Sequence, residues 1–263
     1  MTLMEHTVEL LTRLRIILIS ILSLGFLAAF WPVSFKDFFT SMTYTPIISL
    51  IMEKMKRDLL PPGVVLIAGN IGDTVYMYMM MSGLIGVILS SPIIGYEMYM
   101  FFNPALLPHE KKWAFKIIVP FIGLMFFGAV LAYKLVLPIT FKVLLWFILS
   151  TGAIPMLEVS EFFSIVVILI LATGLTLISP LLLILLAEAG MVNYGQLSST
   201  RKYVYVVFFI VASIVTPDPT PITTLMVFAP WAIIYESSLY AIKRRERRKT
   251  IQSIIGMPVT STR

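Results

Sequence analysis

The chain has 263 residues, 59% of them hydrophobic and only 13% charged, and its mean hydropathy is +0.94. A soluble domain carries roughly 25% charged residues, so a water-soluble fold is excluded, and with it a nucleic-acid binder, which needs a basic face on a soluble scaffold. The net charge is +6, much of it in Lys243, Arg244, Arg245, Arg247, Arg248 and Lys249, and with no cysteine and two histidines (His6 and His109) the chain has no disulfide and no thiolate metal site.

The apolar residues gather into blocks of the length a bilayer needs, about 20 residues per crossing helix. The first follows Arg13 and Arg15 and covers 16–33, closing on Trp31 and Pro32. It lacks a small-residue cleavage site and further blocks follow, so it reads as a retained helix rather than a removed signal peptide. The second runs over 74–102, long enough to continue past the interface. The third covers 114–137 and the fourth 163–187, with Pro180 inside it. The fifth, 203–215, is short for a crossing. Pro217, Pro219 and Pro221 then forbid a continuous helix into the sixth, 222–241, which contains Pro230. Blocks five and six are expected to form a tight hairpin, shorter than the other spans.

Lys and Arg are enriched on the cytoplasmic side of membrane proteins. Six spans put both termini on one side with the loops near 103–113 and 188–202. That side holds Arg13, Arg15, Lys111, Lys112, Lys116, Arg201, Lys202 and the basic tail, 243–263. The other side has Lys36, Lys54, Lys56, Arg57 and Lys142. Outside, the loop 34–73 contains an apolar stretch, Pro46 to Met55, too short to span and read as a short helix on the outer ends of the bundle. The loop 138–162 reads similarly, with Trp146 and Phe147 as interface anchors. The predicted architecture is an all-α integral membrane protein: one domain, six transmembrane helices, N-in and C-in, with short outer-face helices.

Charges near spans are expensive and mark function by default. Here they are Glu97 late in the second span, Lys134 late in the third, Glu188 ending the fourth and Glu236 late in the sixth. The glutamates either reach the interface and pair with Arg201, Lys202, Lys243 or Arg244, or they form an acidic cytoplasmic face that attracts something basic. Glu97 is left between a ligand and Arg201. Glu9 lies four residues before Arg13, the spacing of an i,i+4 helix pair. Glu110 sits in the turn Pro108-His109-Glu110-Lys111-Lys112.

Several segments, in order, resemble the TatC family, the core subunit of the twin-arginine protein translocase. Glu5-His6-Thr7-Val8-Glu9-Leu10-Leu11-Thr12-Arg13-Leu14 is similar to the family's opening. Ser91-Pro92-Ile93-Ile94-Gly95-Tyr96-Glu97, then Phe101-Phe102-Asn103-Pro104-Ala105-Leu106 and His109-Glu110-Lys111-Lys112, resemble its most specific signature. Arg201-Lys202-Tyr203-Val204, Thr216-Pro217-Asp218, Ala229-Pro230 and Tyr235-Glu236 follow as in the family. The chain departs from the pattern at Leu11, usually arginine, and at Glu97, where many members carry glutamine. Ile178 stands where many have an acid, and Thr216-Pro217-Asp218-Pro219 permutes the usual Thr-Pro-Pro-Asp.

The resemblance implies a receptor, not an enzyme, that binds twin-arginine signal peptides of folded proteins at the cytoplasmic face. Carried over by motif, Glu9, Phe101 and Glu110 form the recognition site, Arg13 and Pro104 shape it, and Glu97 adds an acid beside it. It implies single-span TatA-type partners (and TatB-type in some organisms), a homo-oligomer, the proton motive force as driver, and the plasma membrane of a prokaryote. Pro180, Ser179 and Thr176, with Pro46, Asp218 and Glu236, are the expected structural and partner-contact positions. No cofactor, metal or nucleic acid enters, and no Gly-x-x-x-x-Gly-Lys-Ser/Thr loop occurs for ATP. The rival reading is a six-span small-solute or ion transporter, which would show mid-span acids or matched broken helices. An intramembrane protease is disfavoured, because no His-Glu-x-x-His or paired in-membrane aspartates occur.

Overall fold

The structure is a computed structural model that describes residues 3–33, 44–61, 63–102, 117–188, 190–217 and 220–255. Its helices are α1 (Leu3–Phe30), α2 (Ile47–Leu59), α3 (Ile71–Leu89), α4 (Ser91–Phe102), α5 (Ile118–Leu131), α6 (Leu137–Ser150), α7 (Val159–Glu188), α8 (Tyr194–Val215) and α9 (Pro221–Ile255). Among the described residues six helical segments are long and apolar enough to cross a membrane, as the six blocks require.

The most apolar membrane-length helix, α7, is the centre of the bundle and packs against α3, α5, α8 and α9. Phe162, Phe163, Val166, Leu169 and Ile170 of α7 are buried with Phe141, Leu137, Met81 and Leu84. Where α5 meets α7 the backbones approach closely: a Cβ on Gly128 would stand 2.7 Å from the Gly174 Cα. Small residues permit this contact, which supplies dispersion where lipid offers no hydrophobic drive.

The helix over Pro46 to Met55 is α2. Its buried stripe, Ile48, Met52, Met55 and Leu59, has helical spacing and joins the α6–α7 core. Pro46 is its N-cap residue and is tied to the end of α1 by a bridge to Pro32, with Val33 N–H donating to Thr45 O at 3.0 Å and Ile47 N–H to Trp31 O at 2.9 Å. Hydropathy gave no sign of two short strands, β1 (Val65–Ile67) and β2 (Met156–Glu158), which pair in parallel and tether the segment after α2 to the start of α7.

Helix ends differ from hydropathy ends, for physical reasons. The third block does not stop at 137. A single π turn, Ala132–Val136, absorbs Pro138, which has no N–H to return to Lys134, and the helix resumes as α6 to Ser150. The stretch from 138 to Ser150 is therefore helical and continuous with the third block, a segment of 33 residues in all, with Trp146 and Phe147 exposed on it. The helix that carries the fifth block is longer than the block: α8 has 22 residues, with the polar turns from Tyr194 to Lys202 ahead of the apolar stretch, and it opens on a capping box in which Asn193 and Gln196 exchange hydrogen bonds at 3.1 Å. The sixth block ends at 241, but α9 carries the helix through the basic run to Ile255.

Candidate functional site

The site begins with a helix crossing. A Cβ on Gly86 of α3 would stand 2.5 Å from the Ile21 carbonyl oxygen, and one on Gly25 would stand 2.9 Å from the Ser82 oxygen. Only glycine at both positions lets α1 and α3 touch there. After Ser90 the path breaks, since Pro92 has no N–H and the residue before a proline disfavours helix. Ser90 and Ser91 are fully buried at this break, and α4 continues from it along α1. Arg13 precedes Gly25 and Glu97 follows Gly86 by nearly the same number of residues. At 1.5 Å rise each lies about 17 Å from the crossing, so the antiparallel pair brings them level.

They meet there. Arg13 Nη1 donates to Glu97 Oε2 at 3.0 Å, while Arg13 Nη2 and Nε donate to Glu9 Oε1 at 2.5 and 3.1 Å. The side chains are largely buried, with 18% exposure for Arg13, 17% for Glu9 and 10% for Glu97. Glu9 Oε2 is buried and has no hydrogen-bond partner among the described residues. Two carboxylates thus share one guanidinium, leaving a net charge of −1 and an unfilled acceptor, which fits a cationic, multiply donating ligand. Glu97 and Phe101 are one turn apart on α4, so they share a face, and Phe101 is half-buried. Pro104, Glu110 and Asp218 lie outside the described residues.

Arg201, the alternative partner for Glu97, is engaged elsewhere. Its Nη2 lies 3.3 Å from Glu236 Oε2, and Tyr205 OH donates to Glu236 Oε1. These residues join α8 to α9 beside an aromatic stack in which Phe208 and Trp231 lie face to face at 3.6 Å. Within α7, Pro180 cannot donate to the Thr176 carbonyl. Ser179 Oγ donates to that oxygen at 2.8 Å and accepts from Trp231 Nε1 at 3.0 Å. Ile178 is buried in an apolar cluster with Phe121, Met125, Leu181 and Leu185. Outside these groups, Ile19, Leu22, Phe26 and Phe30 of α1, with Trp31 just after it, line an open apolar groove of about 640 Å³. No cluster of three metal-ligating side chains occurs among the described residues.

The Gly25–Gly86 crossing and the α7–α8 connection carry signals that sequence reading passed over: paired glycines facing each other across two spans, and the Asn193-x-x-Gln196 capping box. The link between Glu97 and Arg13 has no local signal, because it depends on the crossing.

Six membrane-length helices with their polar chemistry at helix ends define a multi-pass helical membrane protein, and the comparisons give its kind. The family model for the Sec-independent protein translocase protein TatC matches residues 5–230, and the chain belongs to the TatC family, a subunit of the twin-arginine protein transport system. It is 32% identical to TatC of Aquifex aeolicus over 206 residues, 76% of this chain and 83% of that one. It is also 32% identical to TatC of Magnetococcus marinus over 255 residues, 95% of this chain and 87% of that one. A crystal structure of the twin-arginine translocase receptor TatC superposes with a TM-score of 0.71 at 30% identity, covering 90% of this chain and 98% of that one. A second, in the detergent DDM, gives 0.73 at 30% identity, covering 90% and 99%.

Proposed function

We propose that this chain is the receptor and core subunit of the twin-arginine system. It binds twin-arginine signal peptides of folded proteins at the cytoplasmic face of a prokaryotic plasma membrane, with both termini inside. It is not itself an enzyme. The observation that carries the reading is the convergence of Glu9 and Glu97, from two different helices, on a single guanidinium. A site already built to hold one guanidinium by fork-like hydrogen bonds, and carrying excess negative charge, suits a ligand arginine far better than a lysine. Phe101 supports it with an apolar wall or a stacking surface for a guanidinium. Glu110 and Pro104 complete the site by family motif.

The apolar part of the signal then lies along the bundle, for which the exposed apolar face of α1 offers a surface. TatA-type single-span partners, TatB-type where present, and a second copy of the chain assemble around α7 and α8, near Thr176, Ser179 and Pro180. Pro46, Asp218 and Glu236 are the further structural and partner-contact positions by the same resemblance. The proton motive force drives export.

The test is binding of the detergent-purified protein to a synthetic twin-arginine signal peptide and to its twin-lysine version at two salt concentrations. Preference for the arginine peptide, lost on Glu110→Ala and weakened on Glu9→Ala, supports the reading. Equal binding of both peptides, or none, overturns it and directs the next experiment to solute flux in reconstituted vesicles.

A further inference from the structure

Arg13 already occupies one of the two Glu9 oxygens, Oε1, that a forked hold on a ligand arginine would need. Its Nη2 and Nε both donate to Glu9 Oε1, and its third donor, Nη1, reaches Glu97 Oε2 on the neighbouring helix. The bonds to Glu9 are local, spaced i,i+4 along α1, whereas the bond to Glu97 crosses between α1 and α4. An arriving guanidinium therefore meets another guanidinium in place. If Glu9 were the sole counter-charge, Arg13 and Glu9 would form a closed neutral pair and the newcomer would gain nothing by displacing Arg13. Glu97 changes that balance. Its side chain is 10% exposed and faces Arg13, and it gives the cluster the second carboxylate that a second guanidinium requires.

We propose that Arg13 is a resident guanidinium that yields Glu9 to the ligand and is retained by Glu97, so that Arg13 and Glu97 together position the site and set its affinity. Glu9 swings its vacant Oε2 and its Oε1 onto the incoming arginine. Arg13 keeps its charge satisfied on Glu97, and the cluster passes from a net charge of −1 to neutrality with two guanidiniums on two carboxylates. The exchange breaks and makes hydrogen bonds only. Arg13 has five N–H donors and uses three of them here, so it has donors to spare for a two-point hold on Glu97. Arg13 and Glu97 act through Glu9, the one carboxylate of this cluster that is handed to the ligand. The inference rests on the receptor reading above.

The experiment measures binding of the full-length, detergent-purified protein to a synthetic twin-arginine signal peptide, with the twin-lysine peptide beside it. Glu97→Gln leaves Arg13 locked on Glu9 and is expected to weaken binding of the arginine peptide by about tenfold or more. Arg13→Gln removes the resident competitor; binding is expected to stay at least as tight as in the wild type and to become more salt-sensitive, because the site then carries two uncompensated carboxylates. The double variant Arg13→Gln/Glu97→Gln frees Glu9 and restores the net charge of −1. It is expected to recover most of the affinity lost in Glu97→Gln, which two merely structural residues would not do. Gel filtration and thermal unfolding in the same detergent establish that each variant is folded.

Wild-type affinity in Glu97→Gln, a double variant no better than Glu97→Gln, or a folded Arg13→Gln that binds about tenfold more weakly each overturns the exchange. In those cases a wild type that still prefers the arginine peptide and loses it on Glu9→Gln leaves the receptor reading standing. A wild type with no preference overturns both.

Discussion

Trp231 on α9 donates its indole N–H to Ser179 Oγ on α7 at 3.0 Å, and that hydroxyl donates in turn to the Thr176 carbonyl at 2.8 Å. The carbonyl is the one that Pro180 leaves without its helical partner. A proline in a membrane-spanning helix is tolerated when neighbouring side chains satisfy the freed group. Here a serine does so from within the helix, and a tryptophan from the next helix fixes the serine.

Ser179→Ala is therefore expected to strip two groups at once, the Thr176 carbonyl and the buried Trp231 N–H, and to destabilise the bundle by about 1–3 kcal/mol. Restoring the backbone donor with Pro180→Ala is expected to reduce that loss, so the double variant should unfold at a higher temperature than Ser179→Ala alone. Thermal unfolding in detergent, arranged as a double-mutant cycle, reads this directly. Additive effects would show that Ser179 does not serve the carbonyl that Pro180 frees.

The α1–α3 crossing makes a sharper contrast between neighbouring glycines. A Cβ at Gly86 meets the Ile21 carbonyl oxygen at 2.5 Å, whereas one at Gly83, on the same helix, meets nothing within 4 Å. Gly86→Ala is expected to push the helices apart and cost about 1–3 kcal/mol. Gly83→Ala should be neutral or stabilising by up to about 1 kcal/mol, since alanine is the better helix former. Because the crossing sets the Arg13–Glu97 register, Gly86→Ala should also weaken signal-peptide binding while Gly83→Ala leaves it alone. A peptide-binding assay on both variants, beside their melting curves, checks this.

The family resemblance leads one to expect an acid at Ile178, which instead lies buried among apolar side chains. It shares a buried apolar cluster with Phe121, Met125, Leu181 and Leu185. Ile178→Glu is expected to destabilise the protein more than Ile178→Ala, for which about 2–5 kcal/mol is typical of a buried isoleucine, because it would bury an ionised carboxylate in that apolar cluster. Unfolding temperatures of the two variants at neutral pH decide it. An Ile178→Glu variant as stable as the wild type would mean that the position opens to water or to a polar partner.

Much of this arrangement is legible in the sequence. Hydrophobic blocks mark six crossings because the bilayer forbids lipid-exposed backbone that is not helical, and Glu9 with Arg13 reads as a helical pair from spacing alone. The helix ends are less legible, since backbone hydrogen bonding does not stop where side chains turn polar. α8 begins at Tyr194 and α9 runs on through Lys243 and Arg244. The partner of Glu97 was hidden for another reason. Whether it met Arg13 or Arg201 depended on a glycine crossing about three helical turns away, and no local pattern encodes that.

The two ion-pair groups make a final discriminating test. Arg201 pairs with Glu236, both about 40% exposed, and Glu97 pairs with Arg13. Swapping charges between Arg201 and Glu236 (Arg201→Glu with Glu236→Arg) should recover part of what either single change loses. The recovery should be small, about 0.5–1 kcal/mol, because the pair is solvent-screened and Tyr205 loses its carboxylate acceptor. Swapping Glu97 with Arg201 should recover nothing, since each change leaves a different charge without its mate and the nearly buried Arg13 loses Glu97. Double-mutant cycles on thermal unfolding measure both couplings, and a positive coupling between Glu97 and Arg201 would contradict the pairing described.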